Sequence, residues 1–343
     1  AAQNMDVDAL AGSFYNLTIN KSAGIATVTA GNPNIGGALN IIAGTWNTGT
    51  FSVNVEGNVT IGGTWSTGSS AITVAGNWNN SGTFSGTGTV TLDGADQSLS
   101  GSFYALFLSG SGTKTATAAV DVNSFLTINS GATFNAGSFI HTIAGNLNNA
   151  AGTLTAGTST ITFDGTGTQT LTSGGTGAGK ALNNLTVNKS AGTLQLTAGN
   201  ALEVNGNLTI SSGTFNANTN NINVAGSFIN SGTFTPSTGT LTFDGSSGTY
   251  TINDGNSSLG LVTINAAGVT YQLAGGTNII NGNLTITAGI LDLNGNTLQF
   301  GDAITDAISI SGTLNIDDNA NLRMFTGSNS GCALTVNSGG TII

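Results

Sequence analysis

Charge is almost missing from this sequence. Of its 343 residues only 6% are Asp, Glu, Lys or Arg, against about 25% in an ordinary soluble domain. Five basic residues against fifteen acidic ones leave a net charge of -10, which makes nucleic acid and anionic membrane surfaces poor partners. Two prolines leave backbone pairing nearly uninterrupted, and one cysteine excludes an internal disulfide. No apolar run approaches the roughly 20 residues of a membrane span. Helix formers such as Glu, Lys, Arg and Gln are scarce, which argues against helices.

What the chain has instead is glycine, 53 of them, and a phrase it keeps rewriting. Gly206-Asn-Leu-Thr-Ile-Ser-Ser-Gly-Thr-Phe215 returns as Gly57-Asn-Val-Thr-Ile-Gly-Gly-Thr-Trp65, as Asn123-Ser-Phe-Leu-Thr-Ile-Asn-Ser-Gly-Ala-Thr-Phe134 and as Gly282-Asn-Leu-Thr-Ile-Thr-Ala-Gly-Ile-Leu291. Each copy is a turn, a short alternating strand, a second turn and an apolar anchor, and such self-similarity marks a stacked repeat architecture. Residues 1–13 do not match the phrase and read as an N-terminal arm or cap. From residue 14 to 343 the chain forms a single solenoid of four larger units, 14–102, 103–181, 182–258 and 259–343. Within a unit the period is about 19 to 20 residues, predicting about 17 coils in all.

One coil is too small to bury its own apolar face, so coils must stack, each strand pairing in parallel with its equivalent one coil away. The expected fold is therefore all-β, a parallel β-helix (β-solenoid), right-handed by the usual preference of parallel crossovers. Period-two alternation points Leu208, Ile210 and Phe215 inward and Thr209 outward, with turns at Asn207 and Gly213. Thr, Asn and Ser then wet the surface.

Few residues could carry chemistry. His141, the single histidine, stands where other copies have Ile72 and Ile222, so it reads as a neutral core residue. The Asp-Gly pairs at Asp93, Asp164 and Asp244 fall in different units, about four coils or ~19 Å apart, too far to share a metal, and read as turns. Asp317 and Asp318, with Asp302 and Asp306 upstream, are the densest acidic group and a weak calcium candidate; no other metal ligand set and no cofactor is expected. Parallel β-helices that cleave acidic polysaccharides need carboxylates beside cations. Here Lys21 and Lys189 share one repeat position and read as surface turn residues, and Arg323 reads as the ion-pair partner of Asp317 and Asp318. No enzyme is expected. The loop Gly174–Gly179 lacks the Lys-Ser/Thr of a phosphate loop, and Cys332, alternating with Leu334 and Val336, is expected to be buried. Asn16, Asn58, Asn184, Asn207 and Asn283 open Asn-x-Ser/Thr sites.

In its Asn-Leu-Thr-Ile/Val-Asn-Lys-Ser-Ala-Gly openings and Gly-Asn-Leu-Thr-Ile-x-x-Gly-Thr coils, the chain resembles the β-solenoid repeats of secreted bacterial surface proteins, including filamentous haemagglutinin-type adhesins. The resemblance implies an extracellular or cell-surface fibre or adhesin. The start, Ala1-Ala-Gln-Asn, suits a mature end left by signal cleavage. The expected function is a structural subunit of an extracellular filament, polymerising head-to-tail with copies of itself. The residues at the junction are Met5, Val7 and Leu10 on one side and Cys332, Leu334, Val336, Ile342 and Ile343 on the other. The alternative is a monomeric rod-like adhesin that binds cell-surface glycans.

Overall fold

The computed structural model describes residues 2–8, 13–301, 305–324 and 332–343. It is all-β, a β-solenoid of about 16 turns of stacked parallel strands. Among the described residues no helix is long and apolar enough to cross a membrane. The chain divides into two compact units, Ala1–Ser159 and Thr160–Ile343.

In the first unit one column of the core runs Leu17, Leu39, Val59, Trp78 and Leu99, each the parallel partner of the next. A second runs Ala26, Trp46, Trp65 and Phe84. Alternation sets which side chains enter: Leu39 and Ile41 are fully buried, whereas Asn40 between them is half-buried on the outer face. Equivalent rings then fall one strand spacing apart and stack, with the centroids of Trp46 and Trp65 at 4.9 Å. A buried indole removes roughly 150–250 Å² from water, on the order of 4–6 kcal/mol each. The Trp65 Nε1–H is satisfied by Thr48 Oγ1 at 3.1 Å, which explains a threonine with no exposure in the core.

In the second unit the longest column is Leu202, Ile222, Leu241, Val262, Leu284, Ile308 and Leu334. The repeated phrase folds as its pattern requires. Leu208, Ile210 and Phe215 have no exposure, and Gly213 takes φ +78° at the turn, where a side chain would be strained. Each of the five asparagines singled out above proves to be a coil-to-coil clamp. Asn16 Oδ1 accepts the N–H of Ala38, Asn58 that of Asn77, Asn184 that of Asn207, Asn207 that of Ser227 and Asn283 that of Ala307, all at 2.7–2.9 Å.

The larger units do not hold a whole number of turns. In the first unit of the fold, Val90 and Leu92, followed in the repeat 14–102 by the strand Gln97–Phe103, pair with Leu106 and Leu108, which open the next. In the second, Ile161 and Phe163 pair with Leu185 and Val187, and Leu241 and Phe243 with Val262 and Ile264. A repeat therefore ends one face short of a complete turn, and its successor starts on that face. Turns also vary, from 16 residues between Val90 and Leu106 to 28 between Leu314 and Ile342. This is why a count from a period of about 19 to 20 residues, about 17, exceeds the number of turns found.

The first described residues form part of a coil. Strand Gln3–Asp6 pairs in parallel with Ala26 to Ala30, and Ser13–Phe14 with Asn34–Ile35. Val7, expected at a junction between copies, has no exposure and donates its N–H to Ala30 O at 2.9 Å, so it is core of its own coil. Met5 is half-buried, and Leu10 lies outside the described residues.

Candidate functional site

The polar groups that the coils bring together gather at the places where one repeat hands over to the next. After each strand on which the next repeat lands comes an Asp-Gly turn, and a long side chain from the following repeat reaches into it. At Asp93-Gly94 this is Lys114, fully buried, whose Nζ donates to the carbonyls of Gly94 at 2.5 Å, Ala95 at 2.8 Å and Ser111 at 2.7 Å. At Asp164-Gly165 it is Lys189, 1% exposed, whose Nζ donates to the Gly165 carbonyl and to Gln169 Oε1. At Asp244-Gly245 it is Tyr271, whose hydroxyl accepts the Gly245 N–H at 2.9 Å and lies 3.2 Å from Ala225 O.

Lys189 is thus not the surface turn residue its sequence position suggests. Lys21, at the same position of the first repeat, is half-buried and donates to Gln3 Oε1 at 3.0 Å. The motif is shared; what lies against it differs. Desolvation pushes the Lys114 and Lys189 ammonium groups below the usual lysine range, opposed by Asp96 and Asp93 at the first and by Asp164 at the second. The signal that could have flagged these residues is a Lys or Tyr beyond each Asp-Gly pair, at Lys114, Lys189 and Tyr271.

His141 faces inward with 2% exposure. Its Nδ1 accepts the N–H of Val120 at 3.1 Å, so the proton sits on Nε2, which donates to Ala136 O at 2.9 Å. Burial holds its pKa below the ordinary imidazole range against the pull of that Ala136 bond. A neutral ring locked at both nitrogens is a core element with no lone pair left for a metal or a substrate.

The acidic residues are dispersed. Asp317 and Asp318 are exposed, and Asp317 Oδ1 accepts the N–H of Gly295 at 2.9 Å. Arg323 is exposed on strand Asn321–Met324, where its ladder partner is Gln299. Asp306 is 9% exposed, and Asp302 lies outside the described residues. Among the described residues no group of three or more His, Cys, Asp or Glu side chains is placed to hold a metal ion. Burial raises the pKa of Glu203, Asp244 and Asp254. Glu203 is held by the Asn223 amide at 2.9 Å, and Asp254 by the N–H groups of Ile279 and Asn256. The Gly174–Gly179 loop is tied to the coil through Ser173 Oγ on Ala201 O at 2.7 Å, and Gly175 takes φ +104° in open space.

The residues expected at the C-terminal side of a junction do come together. Strand Ala333–Val336 pairs with Ala307–Ile310, and Thr341–Ile342 with Thr313–Leu314. Leu334 and Val336 stand at inward phases, yet they are 42% and 48% exposed, and Ile342 and Ile343 are 39% and 69% exposed. Cys332, expected to be buried, is half-buried. The reason is one-sided pairing: among the described residues these strands have a neighbour on one side only. No family model matches the chain, and neither a curated protein nor a solved structure is significantly similar to it, so its assignment stops at the β-solenoid fold.

Proposed function

We propose that the chain is a structural subunit of an extracellular filament, growing head-to-tail by stacking the last coil of one copy on the first coil of the next. The observation that carries this reading is the edge strand Ala333–Val336. Leu334 and Val336 continue columns whose earlier members, such as Ile308 and Ile310, have no exposure. Covering them removes apolar surface from water, and the open side of the strand offers a row of N–H and C=O groups to a further strand. With 6% charged residues there is little electrostatic opposition to contact. A head-to-tail contact uses two different surfaces, so it does not close and yields a fibre. The location outside the cell follows the resemblance to filamentous haemagglutinin-type repeats. No chemical step is assigned.

Electron microscopy and sedimentation of the purified chain test this. Long unbranched fibres are expected from the wild type and none from a Leu334→Asp, Val336→Asp variant that keeps its β circular dichroism. Equal polymer from both would sink the reading.

A second reading, a monomeric adhesin for glycans, is favoured by one feature. Phe107 and Phe125 are half-buried rings 5.0 Å apart, and Phe107 takes an outward position between Thr91 and Thr127. Aromatic faces flanked by hydroxyls suit a neutral sugar ring. Binding to a glycan panel that vanishes in Phe107→Ala would favour it.

A further inference from the structure

We propose that Lys189 and Gln169 join covalently: the lysine Nζ displaces ammonia from the glutamine side-chain amide, leaving an isopeptide bond across the boundary between two repeats. The bond lies within one chain and stands whether or not copies polymerise.

The two groups are held against each other from both sides. Thr160–Phe163 pairs with Asn184 to Val187, just before the lysine, and Gln169 to Leu171 pair with Leu194 to Leu196, just after it. The bend that carries Lys189 is therefore pinned over the turn that leads to Gln169. A Cβ at Gly192 would stand 2.5 Å from Gly167 O and 2.6 Å from Thr166 O, so bend and turn approach as closely as backbones can. From the following coil Gly213 closes over the lysine, where a Cβ would lie 2.7 Å from that of Lys189. Both reacting side chains are buried. An amine fixed against an amide in this way reacts as if at an effective concentration of ~10⁵ M or more.

The atoms are set for acyl transfer. Nζ donates to Gln169 Oε1, which places the amine beside the carbonyl it attacks, and the Gly165 N–H donates to the same oxygen at 3.1 Å. That N–H is a fixed donor for the negative charge the oxygen gathers as its carbon becomes tetrahedral. The Gly165 carbonyl holds Nζ by a second bond. Desolvation favours the neutral amine, which is the nucleophile, and Asp164, the carboxylate whose charge acts on it, relays its protons. The step balances. The Nζ lone pair forms the bond to Gln169 Cδ, the Cδ–Nε2 bond breaks, and the two protons lost by the lysine ammonium leave with Nε2 as an ammonium ion. Burial of both groups keeps water from competing as the nucleophile.

The chain carries its own contrasts. Lys21 donates to Gln3 Oε1 at 3.0 Å, but Gln3 is exposed and Lys21 half-buried, so water reaches both. Lys114 is buried and its ladder partner is Gln97, yet its Nζ is taken up by three carbonyls, while Gln97 Nε2 donates to Val74 O and Gly76 O. Contact, burial and a polarised carbonyl coincide at Lys189 and Gln169, and no bond is assigned to the other two pairs. The place gives the bond a use. Between strands Gln169–Thr172 and Asn184–Leu196 the chain leaves the ladder for the Gly174–Gly179 loop. A link from 169 to 189 closes a ring around that excursion, ties one repeat to the next and takes freedom from the unfolded chain.

Mass spectrometry of the intact, denatured chain tests the bond. The wild type should weigh one ammonia less than its sequence, and a protease of low specificity should release a branched peptide joining residues 169 and 189. Lys189→Arg and Gln169→Ala should each show their full sequence mass, whereas Lys21→Arg should keep the deficit. Asp164→Asn should lower the linked fraction in freshly purified protein. A wild-type chain at its full sequence mass, or a deficit that maps to other residues, would overturn the proposal. Because the deciding measurement is made on the wild type, it does not depend on how any variant folds.

Discussion

Lys189 and Gln169 form a hydrogen-bonded pair inside the core, both at 1% exposure, with the Gly165 N–H donating to the same Gln169 oxygen at 3.1 Å. The pair ties the opening of one repeat to the end of the one before, and Lys114 does the same work through the carbonyls of Gly94 and Ala95, holding that of Ser111 in its own repeat as well. Unpaired buried carbonyls cost about 1–3 kcal/mol each. Lys189→Met should therefore lower unfolding free energy by about 2 kcal/mol and Lys114→Met by about 3 kcal/mol or more, read by urea unfolding. Lys21→Met, at a half-buried site, should change it by less than about 1 kcal/mol.

Tyr271 supplies the third repeat-to-repeat contact, and it predicts a loss of stability in alkali. Burial, with smaller contributions from Asp244 and Tyr250, pushes its pKa up to about 12 against the pull of the Gly245 N–H. An unfolded tyrosine ionises near pH ~10. Its stabilising contribution is thus complete below that pH and is lost as pH rises from there toward 12, because the unfolded chain releases the proton first. The urea midpoint of the wild type should fall more steeply over this range than that of Tyr271→Phe. At neutral pH the variant should be weaker by about 1–3 kcal/mol, since the Gly245 N–H loses its acceptor.

His141 gives the opposite sign at the acid side. Its folded pKa is depressed, so the unfolded state binds the proton first as pH drops below about 6.5. The neutral ring stabilises fully above that value and progressively less below it. His141→Ile, which copies the residue at Ile72 and Ile222, should be less stable than wild type at pH 8 by about 1–3 kcal/mol, because Val120 N–H and Ala136 O lose their partner. The gap should narrow toward pH 5, as followed by thermal unfolding at both values.

Asn207→Ala should remove a clamp between coils. The Ser227 N–H would lose its acceptor, costing about 1–2 kcal/mol at this exposed site. Thr209→Val, on the outer face of the same strand, should stay within about 0.5 kcal/mol. Hydrogen exchange at Ser227 distinguishes the two, faster in the first variant and unchanged in the second.

Much of the core was legible residue by residue. Leu208, Ile210 and Phe215 point inward because alternation and one glycine turn are local facts, and His141 could be placed by reading its equivalents Ile72 and Ile222. Lys189 could not be placed that way. Its equivalent Lys21 carries the same neighbours in sequence, and the difference between them is the Asp164-Gly165 turn of another coil. Leu334 and Val336 read as core by phase and are exposed for the same kind of reason, a missing neighbour on one side. Asn16, Asn58, Asn184, Asn207 and Asn283 are clamps whose role could not be read locally, because their partners lie a full coil away.

The sequence by itself determined an all-β stack: glycine-punctuated strands of period two, too short to bury anything alone, can only pair with their own copies. Only the tertiary structure decided which face each strand lands on. That depends on the summed lengths of the intervening turns, which run from 16 to 28 residues between partners. It is why the repeats advance by a face and why two lysines lie in the core.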